Sequence, residues 1–435
     1  MKLIKKLIFT LTLVTIVLYS LGTFSFVNAI DEPTIYSSNV LLMESKTGKV
    51  IYQKQGHEKA YPASTTKVLT AILALEHCDL SEKATASYEA VYSIPWDFTN
   101  ANIQVGEELT INELLHVLLI ASANEAANII AEHIAGTTDS FAAMMNAKAA
   151  EIGCENTHFV NAYGKQDENH YTTAYDLALI TRYAMNNDIF RSIVCKTTYT
   201  LPGTDKHPER DRVFKNTNEL LHKGDEENPN QYYVEECNGV KTGYTQAAGG
   251  CIVVSGEKKD VEYIAVVLGA RDEEGISSVR AQDAKTLLNY AFDNYYLKTL
   301  HNSNDVIKSI PIKKATWATK NLDTIAENEI TVVLRKDASL DNIIPNIEID
   351  NDLEAPIPAN TKVGTITYTI DGNEYTSNLL AANDVAEFNF FSTFTMFLVL
   401  VFVLYVLYKL LKPNKRKKSK KRKKSNKKNN NYMYW

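Results

Sequence analysis

The sequence is poor in the features that bind metals or close disulfides. Its 435 residues include five cysteines: Cys78, Cys154, Cys195, Cys237 and Cys251. No two of them form a C-x-x-C pair, and the nine histidines show no H-E-x-x-H or similar ligand spacing. Metal-dependent hydrolysis therefore has no support in the spacing, and no metal or other cofactor is expected. The odd cysteine count leaves at least one thiol unpaired. Most of the five read as small buried residues, and Cys237 and Cys251, which flank one strand region, are the one candidate pair. No repeat or low-complexity block occurs outside the C-terminal tail. Acid is missing from both ends: residues 1–29 carry three lysines, residues 412–435 carry twelve Lys or Arg, and neither carries an Asp or Glu. With a formal net charge of −6 for the whole chain, residues 30–411 hold −21. A body that acidic does not seek a polyanion, so nucleic acid is not expected as a partner.

The ends instead describe a route through a membrane. Lys2, Lys5 and Lys6 precede an apolar run that closes on Val27-Asn28-Ala29. That is the layout of a secretory signal peptide over 1–29, cleaved after Ala29, with an uncleaved anchor as the rival reading. Residues 390–411, FFSTFTMFLVLVFVLYVLYKLL, hold no charge until Lys409 and are long enough to cross a bilayer. The basic tail at 412–435 then stays in the cytoplasm and contacts anionic lipid. The expected topology is a single-pass cell-membrane protein with everything from about Asp31 to Glu387 outside.

Between the ends the pattern changes twice. NVLLMESKTGKVIYQKQ, 39–55, reads as a hairpin turning at Lys46-Thr47-Gly48. ELTINELLHVLLIASANEAANIIAEHIAG reads as two helices meeting at Ala121-Ser122-Ala123-Asn124. Thr110 and Glu113 form a capping box for the first, and Gly136 stops the second. More helix is expected around Asn146 and from Asp176 to Met185. Residues 239–270 read as strands joined by a hairpin turn, and Arg280–Tyr295 returns to helical period. The expected fold is α+β, an antiparallel sheet packed with helices over 30–300. A small β-rich domain follows over 301–386, with a turn at Asp371-Gly372.

The chemistry starts from AYPASTTKVLTAILALEHC, 60–78. From Val68 to Leu75 it is apolar apart from Thr70, which predicts a buried helix. Lys67 falls on its apolar stripe, three residues after Ser64. Lysine is rarely buried without a reason. Burial disfavours its charged form and so makes it a base, and a serine hydroxyl needs a neighbouring base to become a nucleophile. S-x-x-K alone is a common pattern; Ser425 to Lys428 repeats it in the tail without a role. Two further elements add weight. Ser122 and Asn124 put a hydroxyl and a carboxamide in the break between helices. Lys241-Thr242-Gly243 opens a strand, where a cation can hold a carboxylate and glycine lets a chain lie close. The copy at Lys46-Thr47-Gly48 is set aside as a hairpin turn.

S-x-x-K, S-x-N and K-T-G in that order are far more specific than any one of them. The sequence resembles the low-molecular-weight penicillin-binding proteins, the serine-type D-alanyl-D-alanine carboxypeptidases, over roughly residues 35–385. AYPASTTKVLTAILALE, LLIASANEAANIIAEHIAG, NTHFVNAYGKQDENHYTTAYDLALI, KNTNELL and GVKTGYTQAAGGCIVVS carry the likeness, and APIPANTKVGTITYTIDG resembles the family's small β-domain. The resemblance implies a β-lactamase/transpeptidase-like catalytic domain and a set of roles. Ser64 forms the acyl-enzyme, Lys67 is its base, and Ser122 passes a proton toward the leaving D-alanine. Asn124 holds the substrate amide, and Lys241 and Thr242 bind the terminal carboxylate beside Gly243. The N–H groups of Ser64 and Tyr244 form the oxyanion hole. Some members carry histidine where this chain has Tyr244, which leaves the deacylation rate open. Asp176 matches an acidic position beside the family's site, though with Thr173 it also reads as a helix start, and Arg280 is a weaker candidate for steering the carboxylate. The implied partners are peptidoglycan stem peptides ending in D-Ala-D-Ala, and β-lactams as covalent inhibitors of Ser64.

Three rivals share these residues. A class A β-lactamase would need a deacylating glutamate well before K-T-G, and the E-x-x-x-N from Glu226 to Asn230 lies too close to Lys241. A transpeptidase or endopeptidase differs only in the acceptor. A non-catalytic anchored wall-binding protein would tolerate loss of Ser64 or Lys67, and both are present.

Overall fold

The computed structural model describes residues 31–340 and 343–412. The expected signal peptide and all but Lys412 of the basic tail lie outside these residues. Among the described residues two units pack separately: 31–300 with 331–340, and 301–330 with 343–412. Strand Ile330–Arg335 pairs with Tyr295–His301, which returns the chain to the first unit after residue 330.

The first unit is built on a five-stranded antiparallel sheet. Its order is Val50–Lys54, Asn39–Glu44, Val261–Ala270, Gly249–Lys258, Cys237–Thr245. The N-terminal hairpin therefore pairs with a strand more than 200 residues later, Val40 opposite Val267 and Leu42 opposite Ala265. Alternate side chains of a strand face opposite sides. Here both sides are dry. Val40 and Leu42 join the cluster under helix Val279–Asn294, while Leu41 and Met43 join the larger cluster of the helical layer. That is why NVLLME is apolar without a polar alternation.

The helical layer surrounds the Lys67–His77 helix, buried from Lys67 to Ala74. The expected helices form as Ile111–Leu119, Asn124–Ala135, Thr138–Ile152 and Ala174–Met185. The Thr110–Glu113 capping box closes in both directions, and Gly136 ends its helix at φ 77°. Elements without a clear periodic signal also form: helix Asp188–Val194 and hairpin Thr198–Leu201 with Arg212–Lys215. Cys237 and Cys251 sit at opposite ends of one paired register, Cys237 facing Gly256 and Cys251 facing Gly243. Both are free thiols, as are the other three cysteines.

The second unit holds another five-stranded sheet, ordered Val306–Pro311, Asn321–Ala326, Asn373–Ala381, Lys362–Ile370, Asn346–Ile349. Its tightest turn is Asp371-Gly372, both at positive φ, as a two-residue hairpin turn requires. Helix Phe390–Leu411 follows, 22 residues long with an 18-residue stretch of mean hydropathy 2.5 and no buried residue.

Candidate active site

Ser64 does not begin an α-helix, as its stripe suggested. Ala63–Thr66 is a 3₁₀ turn that runs into the α-helix at Lys67. Residues three apart eclipse in a 3₁₀ turn, which stacks Lys67 directly over Ser64. Lys67 Nζ lies 2.9 Å from Ser64 Oγ, 2.6 Å from Asn124 Oδ1 and 2.9 Å from the Tyr163 carbonyl oxygen. The lysine is fully buried. Burial pushes it well below its usual pKa, the Lys241 charge adds to the shift, and Glu125 opposes it. A neutral amine has two hydrogens and one lone pair. Two carbonyl oxygens accept the two hydrogens, so the lone pair is left for the Ser64 hydroxyl.

Ser122 and Asn124 sit in the break between helices Ile111–Leu119 and Asn124–Ala135. Ser122 takes a left-handed backbone, φ 63°, unusual for a residue with a Cβ. Glu125 is buried, and its Oε1 accepts the N–H groups of Ala101 at 2.6 Å and Ile103 at 3.4 Å. Its neighbour Asn124 donates its N–H to the Thr99 carbonyl at 3.1 Å. These bonds hold the Asp97–Ile103 segment against the start of the helix.

Strand Cys237–Thr245 is the sheet edge and forms the opposite wall. A Cβ on Gly243 would fall 2.8 Å from the Ser64 nitrogen and 3.1 Å from Ala63 Cβ, so only glycine allows this approach. Gly164, at φ 90°, crosses behind Ala63 just as closely; a Cβ there would lie 1.8 Å from the Ala63 carbonyl oxygen. The Thr242 hydroxyl lies 2.6 Å from that of Thr217. Arg280 donates to the Gly243 carbonyl at 3.1 Å and pairs with Glu219 at 2.7 Å.

Ser64, Ser122, Asn124, Thr242, Gly243 and Tyr244 line one cleft of about 880 Å³, together with Thr217 and Arg280. Lys67 lies beneath it. Lys241 is buried on the strand face that Gly243 shares, where its Nζ donates to the Thr242 carbonyl at 2.9 Å; it is not among the residues lining the cleft, but its charge reaches Lys67. Burial and the Arg280 charge lower the Lys241 pKa to about 7, against an opposing pull from Glu219. Asp176 is elsewhere: one carboxylate oxygen accepts Asn156 N–H and the Thr157 hydroxyl at 2.8 Å each, while Thr173 caps its helix. Lys46-Thr47-Gly48 is a turn whose amides bind the Glu44 carboxylate. The sequence reading missed the Tyr163 carbonyl, Thr217 and Glu125. The segments that carry them stood out, but a backbone acceptor has no side-chain signature. One mixed donor group, Cys78, Glu82 and His133, gathers its ligand atoms within 4.8 Å among the described residues, and none of the three lines the cleft.

A cleft of this make-up matches known proteins. The profile of the D-alanyl-D-alanine carboxypeptidase family covers residues 26–272, and that of the C-terminal domain of penicillin-binding protein 5 covers 295–387. The D-alanyl-D-alanine carboxypeptidase DacF of Bacillus subtilis is 30% identical over 80% of this chain and 85% of its own length. A D-alanyl-D-alanine carboxypeptidase of a Streptomyces strain is 30% identical over 61% of this chain and 90% of its own. Among solved structures, penicillin-binding protein 5 of Haemophilus influenzae superposes with a TM-score of 0.67 at 22% identity, over 82% of this chain and all of that one. A Streptomyces DD-transpeptidase superposes with 0.54 at 28% identity, over 61% of this chain and all of that one.

Proposed function

The chain belongs to the D-alanyl-D-alanine carboxypeptidase family, and on that premise we propose how its own residues carry the reaction. It is a serine-type carboxypeptidase, acting on peptidoglycan peptides that end in D-Ala-D-Ala. Lys67 Nζ takes the proton from Ser64 Oγ, and Oγ attacks the carbonyl of the penultimate D-alanine. The backbone N–H groups of Ser64 and Tyr244 receive the oxyanion. Ser122 returns the proton to the departing amine, and Asn124 holds the substrate amide. Thr242 and Arg280 meet the terminal carboxylate, with the buried Lys241 adding positive charge. Water then hydrolyses the ester on Ser64. A β-lactam enters the same sequence through its strained amide.

One observation carries this reading: the Lys67 amine sits 2.9 Å from Ser64 Oγ with two carbonyl oxygens within hydrogen-bond distance besides. The test uses the full chain and a muramyl pentapeptide ending in D-Ala-D-Ala, with product masses followed over time. Loss of one D-alanine, abolished by Ser64→Ala, is expected. A cross-linked product would move the reading to transpeptidase, which the likeness to the Streptomyces DD-transpeptidase keeps in view.

We further propose a catalytic domain over 30–300 and a small β-domain over 301–386. The protein is anchored once, with both domains outside and the tail in the cytoplasm. Helix Phe390–Leu411 spans about 33 Å at 1.5 Å per residue. Within the second unit the residues before it are stitched to one loop. Thr316 N–H donates to the Ala386 carbonyl at 2.9 Å, and Phe388 N–H donates to Lys314 at 2.7 Å. That loop presents Trp317, 93% exposed, where a headgroup layer would lie.

A further inference from the structure

Three large aromatic side chains stand in water beside the cleft: Tyr88, Tyr92 and Trp96, at 68%, 66% and 92% exposure. They are not part of the site described above. Tyr88 and Tyr92 lie one turn apart on helix Tyr88–Tyr92, with ring centroids 4.6 Å apart. Trp96 follows in the segment that then forms the cleft wall at Asp97, Phe98 and Thr99. Ile94 and Phe98, on either side of it, pack against the core. The segment thus has an inward anchor and an outward aromatic face.

Its position relative to the cleft is fixed. The Asn128 carboxamide donates to the Ala90 carbonyl at 3.4 Å and to Ser93 Oγ at 3.2 Å. Asn128 is one helical turn beyond Asn124, about 6 Å along the helix. Thr99 is tied to the Asn124 amide itself. The segment that carries the aromatic face is therefore tied to the helix that supplies Asn124, and its next residues line the cleft.

We propose that Tyr88, Tyr92 and Trp96 form a saccharide subsite, which takes the amino-sugar strand that bears the stem peptide. The proposal rests on the carboxypeptidase reading, because the substrate of that reading supplies the sugar. In a stem pentapeptide the scissile bond and the sugar are separated by about four residues, at most about 14 Å when extended. The aromatic helix is bonded to the Asn124 helix one turn from Asn124, a separation shorter than that reach. The chemistry also fits. Aromatic faces are electron-rich and apolar, and meet the weakly positive C–H faces of pyranose rings. The sugar hydroxyls stay in water or reach the tyrosine O–H groups. A contiguous exposed apolar face on a soluble unit marks a binding surface, and this one adjoins the reaction site.

The test compares two substrates on the full-length protein: a free D-Ala-D-Ala pentapeptide, and the same pentapeptide on its disaccharide. In the Tyr88→Ala/Tyr92→Ala/Trp96→Ala variant, kcat/KM for the glycan-linked substrate should fall about tenfold, through KM, while the free peptide is cleaved as before. Equal losses on both substrates would mean that the segment only shapes the cleft, and would overturn the proposal. So would no loss on either. A second measurement does not depend on turnover: titration with N-acetylglucosamine oligomers should change the tryptophan fluorescence of the wild type and not that of Trp96→Ala. Absence of that change would overturn the subsite and hand the face to a protein partner. Failure to cleave either peptide, with the fluorescence change present, would sink the carboxypeptidase reading and leave the saccharide subsite standing.

Discussion

At the scale of the residue, the site turns on a lysine whose charged form burial disfavours and a glycine kept bare. Lys67→Arg retains charge and reach but cannot accept a proton, because arginine stays protonated. β-Lactam acylation of Ser64 should fall about 10²–10⁴-fold, measured by intact mass against time. In the wild type the same rate should rise with pH through the lowered pKa of Lys67, since only the neutral amine accepts. Gly243→Ala should cost about 10²-fold in acylation, as the new methyl pushes the strand away from the Ser64 amide. Lys241 offers a test through stability. Its pKa is about 7 when folded and 10.5 ordinarily. Between those values the unfolded chain binds the extra proton, so stability rises with pH across the window. Lys67 pulls the same way. Urea midpoints should climb from pH 7 to 9.5, and the climb should be shallower in Lys241→Met. Ser64 and Lys67 were legible because their spacing survives translation into structure. The Tyr163 carbonyl was not, because every residue has one.

At the scale of the element, the cleft walls are held by contacts between segments far apart in sequence. Glu107 and Arg212 form a buried ion pair, with His207 Nε2 3.6 Å from the same carboxylate. Arg212 also donates to the Ala101 carbonyl at 3.2 Å, so the pair ties hairpin Thr198–Lys215 to the segment that walls the cleft. Glu107→Ala leaves a buried guanidinium without its partner and should cost about 3–5 kcal/mol in chemical denaturation. By contrast Thr110→Ala removes one local cap and should cost about 1 kcal/mol. The two differ in legibility for the same reason. The capping box lies within four consecutive residues and could be read directly. The ion pair joins positions 105 apart and leaves no local pattern.

At the scale of the whole molecule, a chain ended after Glu387 should leave the membrane fraction on cell fractionation and still release D-alanine. The sequence by itself determined the longer helices, the N-terminal hairpin, the membrane-length helix and the order of the three motifs, because each rests on short-range periodicity or on a few adjacent residues. It also marked Ser64, Lys67, Ser122, Asn124 and Thr242 as residues to watch. Tertiary structure decided what these residues face. Folding brought the N-terminal hairpin onto Val261–Ala270 and laid the edge strand against Ser64. It put Arg280 on the cleft wall and buried Lys241 on the strand face that Gly243 shares. Two positions on one strand look alike in sequence, and which of them meets the cleft depends on the strand's partners and on what packs behind it. Burial of Lys67 likewise needed the whole helical layer, since desolvation is a property of everything that surrounds a charge.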